Sequence, residues 1–355
     1  MNRSEKITYL CNLKGKGLEI GPSFNPVLPK KEGYDVETID HLDKKGLIEK
    51  YREHGVNLDN IEEVDYIWQG EKYTELTEKS NYYDYIIASH VIEHTCDMIG
   101  FLNDCSELLK ENGILSLVIP NKKFCFDFFR PVTSISRVVD SYLEKRVLHS
   151  SGTICEHFLN ASCYEGNIAW GKNIDPSNLR LVHSYEASKK LFEASTSSSE
   201  YIDAHNWTFT EKSFELLIYD LNCLKLTCFQ VAESFETVGV EFYISLKKCD
   251  SYVIPNDDKR FQLLVSMHNE LQESEKISES LKFLEAQVSL QQTEINSLQK
   301  EINISQTDIS TLKGELSILH AEKDAQYVAF INSTSWKMTA PFRVIICACR
   351  RIFER

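Results

Sequence analysis

The sequence predicts an α/β fold, a mostly parallel sheet covered by helices, followed by a long α-helical coiled coil. Three observations predict it. The runs Gly17-Leu18-Glu19-Ile20-Gly21, Val36-Glu37-Thr38-Ile39-Asp40 and Asp84-Tyr85-Ile86-Ile87-Ala88-Ser89-His90 are apolar and stop abruptly at glycine or a polar residue. Parallel strands buried on both faces read this way, with ligand chemistry at their carboxyl ends. Helical periodicity alternates with these runs, as in a sheet built from β-α units. Beyond Pro255 the composition shifts to Glu, Gln, Ser, Lys and Leu with a heptad repeat.

Residues 15–21 and 36–40 read as the first two strands, and 44–54 as a helix ended by Gly55. Residues 63–68 alternate with period two, as a third strand. Residues 83–89 form the fourth. Over 98–110, Met98, Phe101, Leu102, Cys105, Leu108 and Leu109 share one helical face, and Asn112-Gly113 closes the helix. Residues 114–119 form the fifth strand, stopped by Pro120. Residues 211–221 are a helix, and 225–232 with 240–247 a closing strand pair. The stretch 121–206 is too long for a structureless connection and predicts a cap of short helices at the carboxyl end of the sheet, where an acceptor would be recognised.

The 355 residues carry 42% hydrophobic side chains, enough for a sizeable core, and a net charge of −14. That charge argues against nucleic acid as a partner, because phosphates need a basic footprint. No signal peptide is expected at the start, and no apolar run approaches the ~20 residues that span a bilayer. Eleven cysteines without a C-x-x-C pair read as reduced cytosolic thiols, not a disulfide framework. No ligand cluster of diagnostic spacing is visible, so no metal is expected.

Gly21 at the end of the first strand lets backbone approach a ligand closely. Asp40, 19 residues later, ends the second strand and suits a ribose diol. Pro22, Pro26 and Pro29 replace the glycine-rich turn that holds a dinucleotide pyrophosphate, so a nucleoside cofactor without phosphate fits better. Leu18-Glu19-Ile20-Gly21, Asp40 and Ser89-His90-Val91-Ile92-Glu93-His94 resemble three motifs of class I S-adenosylmethionine-dependent methyltransferases, and Leu108 to Leu115 resembles the helix-turn-strand that follows. The resemblance implies a Rossmann-like, seven-stranded sheet with S-adenosylmethionine as cofactor. Glu19 would face the methionine amine, Gly21 and Ser89 would line the loops, and Asp40 would hold the ribose. Asp65 and Trp68 would meet adenine, or be a solvated aspartate beside a core tryptophan. His90 is the first choice for a general base, with Glu93 and His94 beside it as catalytic candidates. In the cap, Asp127 and Arg130 would bind substrate or form a fixed pair, and His157, His183 and His205 are weaker candidates.

The segments Ile119 to Arg130 and His205 to Thr210 resemble methyltransferases of bacterial surface-polysaccharide clusters, and Ser333 to Arg343 resembles the ends of polysaccharide glycosyltransferases. This implies a glycan or glycolipid acceptor, a sugar of O-antigen or capsule; a small metabolite or a non-catalytic scaffold for glycosyltransferases are the alternatives. Leu281, Leu284, Val288, Gln291, Ile295, Leu298, Ile302, Ser305, Ile309, Leu312, Leu316 and Leu319 follow alternating steps of three and four. Isoleucine and valine at a with leucine at d favour a parallel homodimer, while Gln291 and Ser305 at d leave a trimer open. After Pro341, Phe342, Ile345, Ile346, Cys349, Ile352 and Phe353 lie opposite Arg343, Arg350 and Arg351, a basic amphipathic helix suited to an anionic membrane surface or to a partner such as a glycosyltransferase. The expected divisions are 1–250 for the catalytic domain with cap 121–206, 259–330 for the coiled coil and 331–355 for the tail. The expected location is the cytoplasm, peripheral on the inner membrane.

Overall fold

The computed structural model describes residues 1–171, 174–197 and 200–353, with side chains outside 273–283, 285 and 351–353. Leu281 of the heptad and Arg351, Ile352, Phe353 and Arg355 of the tail lie outside the described side chains. The chain forms two compact units, Met1–Lys276 and Ile277–Arg355.

In the first unit, α1 (Arg3–Ile7) precedes β1 (Gly17–Ile20), β2 (Val36–Asp40), α2 (Lys44–Tyr51), β3 (Tyr66–Ile67), α3 (Tyr73–Thr77), β4 (Tyr83–Ser89), α4 (Met98–Leu108) and β5 (Leu109–Pro120). The cap holds α5 (Ile135–Leu143), α6 (Ser151–Asn160), the small antiparallel pair β6 (Ser162–Cys163) and β7 (Arg180–Leu181), and α7 (Tyr185–Ser197). Then come α8 (Glu211–Cys223), β8 (Phe229–Val238) and β9 (Glu241–Lys248). The main sheet runs β3-β2-β1-β4-β5-β9-β8, parallel through β5 and antiparallel beyond it. This is the mostly parallel, Rossmann-like seven-stranded sheet that the resemblance implied. The order reverses between β1 and β4, which opens a crevice at their carboxyl ends.

Alternation within the strands builds two cores. Leu18, Ile20, Ile86, Ala88, Leu115 and Leu117 pack on α4 and α8 through Phe101, Leu102, Phe214 and Ile218. Tyr85, Ile87 and Val118 face the other way, against Ile7 of α1 and Leu28. Gly17 is required here: a Cβ would stand 2.3 Å from the Tyr85 ring that crosses it. Asp97 starts α4 by accepting from Gly100 N at 2.9 Å.

Four boundaries differ from the sequence expectation. The third strand is only Tyr66–Ile67, because Asp65 turns its carboxylate back onto Thr38 N at 2.7 Å and onto Lys30. Asp65 therefore precedes the strand instead of closing it. The helix α4 ends at Leu108, and Asn112-Gly113 forms a bulge within β5: Tyr83 pairs with Leu109 but Tyr85 with Ile114, and Asn112 has φ +60°. The hairpin strands start later than expected, since Lys225 at φ +60° still belongs to the turn that ends α8. The first unit also extends past residue 250, because α9 (Asp257–Asn332) begins on it: Arg260 pairs with Asp220, and Lys123 and Lys212 bond Glu270.

In the second unit α9 continues unbroken to Asn332, followed by α10 (Thr334–Met338) and α11 (Ala340–Phe353). A helix this long, with heptad spacing, is consistent with a coiled coil. No helix among the described residues is long and apolar enough to cross a membrane.

Candidate active site

Gly21 follows β1 with φ +68°, and its N–H donates to Ile39 O at 2.8 Å. A Cβ there would also stand 2.8 Å from Val91 Cγ2, so the first loop needs glycine twice over. Asp40 closes β2. Its Oδ2 accepts from Ser23 N at 2.9 Å and its Oδ1 from His41 N at 2.8 Å. Trp68 N donates to Asp40 O at 2.8 Å, which sets a half-exposed indole beside the end of β2.

These residues fit S-adenosylmethionine. Asp40 Oδ1 is also met by His41 Nδ1 at 2.6 Å, so of the carboxylate's roughly four lone-pair sites about one is left for a ribose hydroxyl. The Ser23 hydroxyl next to it is buried without a partner, a polar group waiting for one. Asp40 would hold the ribose, Gly21 would give the close approach, and Trp68 offers a stacking face. Glu19 differs from the expectation. It is buried and spends Oε1 on Val27 N at 2.7 Å and Oε2 on Leu28 N at 3.2 Å. Burial pushes its pKa up to about 7 against the pull of these bonds, so Glu19 pins the proline-rich loop instead of standing open in the crevice. Asp65, engaged by Thr38 and Lys30, likewise points away from the strand ends.

His90 is not free to act as a base. It follows β4 with φ +55°, a strained position for a side chain of this size. Its Nε2 bonds Glu241 Oε2 at 2.8 Å, and its Nδ1 lies 3.2 Å from Glu93 Oε1. Burial alone would lower its pKa, but hydrogen bonding to Glu241 and the charge of Glu93 outweigh that and raise it to about 10. At neutral pH it is an imidazolium, hydrogen-bonded through Nε2 to Glu241 and paired by charge with Glu93 on its Nδ1 side. Arg3 completes the network, donating to Glu241 Oε1 at 2.6 Å and to Ser89 Oγ at 3.0 Å.

Asn206 N and Trp207 N both donate to Glu93 O, at 2.7 and 3.2 Å, and so dock the cap's return segment on the loop after β4. That brings His205 beside Glu93 and His94, with one ligand atom from each of the three lying within 4.8 Å of the others. The sequence spacing does not announce this group, because His205 lies far along the chain from Glu93 and His94. Glu93 is fully buried and its oxygens have no aligned hydrogen-bond partner. Burial would raise its pKa, yet His90, His94 and His205 hold it below the usual range. His94 Nδ1 bonds Asp203 Oδ1 at 2.8 Å, and His94 remains partly exposed.

Asp127 and Arg130, expected either on a substrate or as a fixed pair, are buried on each other at 2.6 Å, and Arg130 also reaches Glu156 at 3.1 Å. They form the fixed pair of the cap. Burial would raise the Asp127 pKa, but His205 and Arg130 bring it down to about 2. His157 is buried behind His205, and burial with the Arg130 charge lowers its pKa to about 3. It is a neutral packing group, not a substrate ligand. Arg3, Glu241 and Asp203 escaped the sequence reading. Glu241 at the hairpin end was the one with a signal, an acid opening an otherwise apolar strand.

Residues 4–167 match the family model described as a methyltransferase domain. No curated protein matches the sequence. Among solved structures, the chain is similar to an S-adenosylmethionine-dependent methyltransferase from Thermotoga maritima (14% identity, 69% of this chain and 87% of that one, TM-score 0.27). It is also similar to such enzymes from Aquifex aeolicus (12% identity, 70% and 94%, TM-score 0.32) and Methanosarcina mazei (17% identity, 66% and 92%, TM-score 0.32).

Proposed function

We propose that the chain, whose residues 4–167 match a methyltransferase domain, is an S-adenosylmethionine-dependent methyltransferase that O-methylates a sugar of a bacterial surface polysaccharide. We place it, as a homo-oligomer, on the cytoplasmic face of the inner membrane. Bound S-adenosylmethionine would supply an electrophilic methyl group: the acceptor oxygen would bond to the methyl carbon as the carbon–sulfur bond breaks to release the neutral thioether, and the hydroxyl proton would pass to water. The chain's own residues then have three tasks. Asp40, Gly21 and Trp68 orient the nucleoside. The imidazolium of His90, held by Glu241 and Glu93, fixes the loop after β4. The partly exposed side of the Glu93–His94–His205 group receives the acceptor hydroxyl under the cap. Proximity and orientation supply much of the acceleration in such a displacement.

The observation that carries the polysaccharide reading is α11. Phe342, Ile345 and Ile346 are exposed on it, with Arg350 along one edge and Arg343 at the same edge stacked on the Trp336 ring of α10. An apolar stripe flanked by arginines suits an anionic lipid surface, where lipid-linked glycans are assembled. A groove on a glycosyltransferase is the second partner it suits. The heptad residues Leu298, Ile302, Ile309 and Leu312 are about half exposed in the single chain, an apolar seam that a second copy would cover. The test is transfer of radiolabelled methyl from S-adenosylmethionine to lipid-linked glycans in membranes lacking the enzyme. The label should appear in the glycan as an alkali-stable methyl ether. Label found only in small water-soluble metabolites would overturn the reading.

A further inference from the structure

We propose that Glu93, His94 and His205 form a binding site for one divalent first-row transition ion. The donor types come first. Two imidazoles and one carboxylate suit zinc, cobalt or iron, whereas magnesium and calcium prefer oxygen throughout. The three ligand atoms already lie within 4.8 Å of one another. Ligands bonded at about 2.0–2.2 Å stand no more than about 4.4 Å apart, so a rotamer adjustment closes the set.

The independent observation is Glu93 itself. A carboxylate that is 0% exposed, with no aligned hydrogen bond and only the charge of His90 beside it at 3.2 Å, is an expensive thing to keep buried. A cation at the cluster supplies the direct bond that these oxygens lack. The outer layer points the same way. His205 Nδ1 bonds Asp127 Oδ2 at 2.5 Å and His94 Nδ1 bonds Asp203 Oδ1 at 2.8 Å. Each Nδ1 is taken by a carboxylate, which leaves Nε2 as the nitrogen for a metal. Carboxylate-histidine pairs of this kind orient metal ligands and raise their basicity. Arg130, buried on Asp127, fixes the second layer in turn. The acids Glu93, Asp127 and Asp203 offset the charge of the ion.

Three protein ligands leave a coordination position open. His94 is partly exposed, so that position faces the acceptor side. There the ion would hold the acceptor oxygen and ease loss of its proton to water, a role that rests on the transfer reading above; the binding site itself does not.

The full-length protein, stripped with a chelator and dialysed, is titrated with cobalt(II) and followed by its visible d–d bands. One equivalent should bind, and zinc should displace it. Glu93→Gln and His205→Ala should weaken binding at least 10²-fold, and Asp127→Asn by 10- to 100-fold. Because those side chains are buried, His94→Ala is the variant that keeps the fold testable: circular dichroism should be unchanged and the cobalt bands lost. Absence of the bands in the wild type, or bands that persist in a folded His94→Ala, overturns the site. Bands in the wild type with no methylation of any glycan bear against the acceptor reading and leave the site standing.

Discussion

At Asp40 a single carboxylate ties the loop after β1 to the end of β2, through Ser23 N and His41 N. Asp40→Ala should weaken S-adenosylmethionine binding by at least ~1.5 kcal/mol, because charge-assisted bonds to the ribose are lost. Calorimetric titration giving wild-type affinity would remove Asp40 from the site. His90 behaves differently from a general base. Since it is already protonated, His90→Gln should slow transfer at neutral pH by less than the ~10²-fold typical of losing a base. A larger loss with an unchanged fold would restore it to the chemistry. Its charge also predicts a pH signature. The folded pKa lies above the ordinary value of 6.5, near 10, so the stabilisation is fully present below 6.5 and lost as pH rises through 10. Denaturant midpoints of wild type and His90→Gln should therefore converge across that window. Parallel curves would mean that His90 is neutral in the folded protein.

Among the elements, β1 shows how close packing limits side-chain size. Gly17→Ala places a methyl within 2.3 Å of the Tyr85 ring and should cost about 1–3 kcal/mol by overpacking. Tyr85→Leu opens that space, so the double variant should lose less than the two single losses added together, as contacting residues do. Additive losses from urea unfolding would show that the ring moves aside freely. The strands and helices that hold the site were legible: β2 and β4 carry the expected bounds, and α4 starts where its apolar face begins. Strand ends such as β3, and the bulge in β5, were not, because they depend on Asp65 and Asn112 finding partners or conformations that only the assembled sheet offers.

For the molecule as a whole, the two units should separate in function. Deleting residues 331–355 removes Lys337, Arg343, Arg350, Arg351 and Arg355, and the more acidic protein should no longer float with anionic liposomes. It keeps the heptads and should still scatter light as an oligomer. Deletion from Ile277 should give a monomer that still binds S-adenosylmethionine. The cut falls there, not at residue 259, since Arg260 and Glu270 hold the start of α9 on the first unit. A tail-less protein that still floats would put the membrane contact in the catalytic unit, and a monomeric tail-less protein would refute the role of the heptads.

The sequence by itself determined the parallel strands and the residues at their carboxyl ends, where the crevice opens. Gly21, Asp40 and Ser89 sit at strand ends, and a strand end is visible wherever an apolar run stops. It also determined the heptad seam, since a helix repeats its faces at fixed spacing and needs no partner to reveal them. Only the tertiary structure decided which histidine does what. His90 reads as a free base until Glu241, 151 residues away, closes on its Nε2. His205 reads as one cap histidine among four until the hydrogen bonds of Asn206 and Trp207 to Glu93 O bring it to that carboxylate. The protonation and partners of a buried imidazole are set by charges that arrive from distant segments, and no local spacing records them.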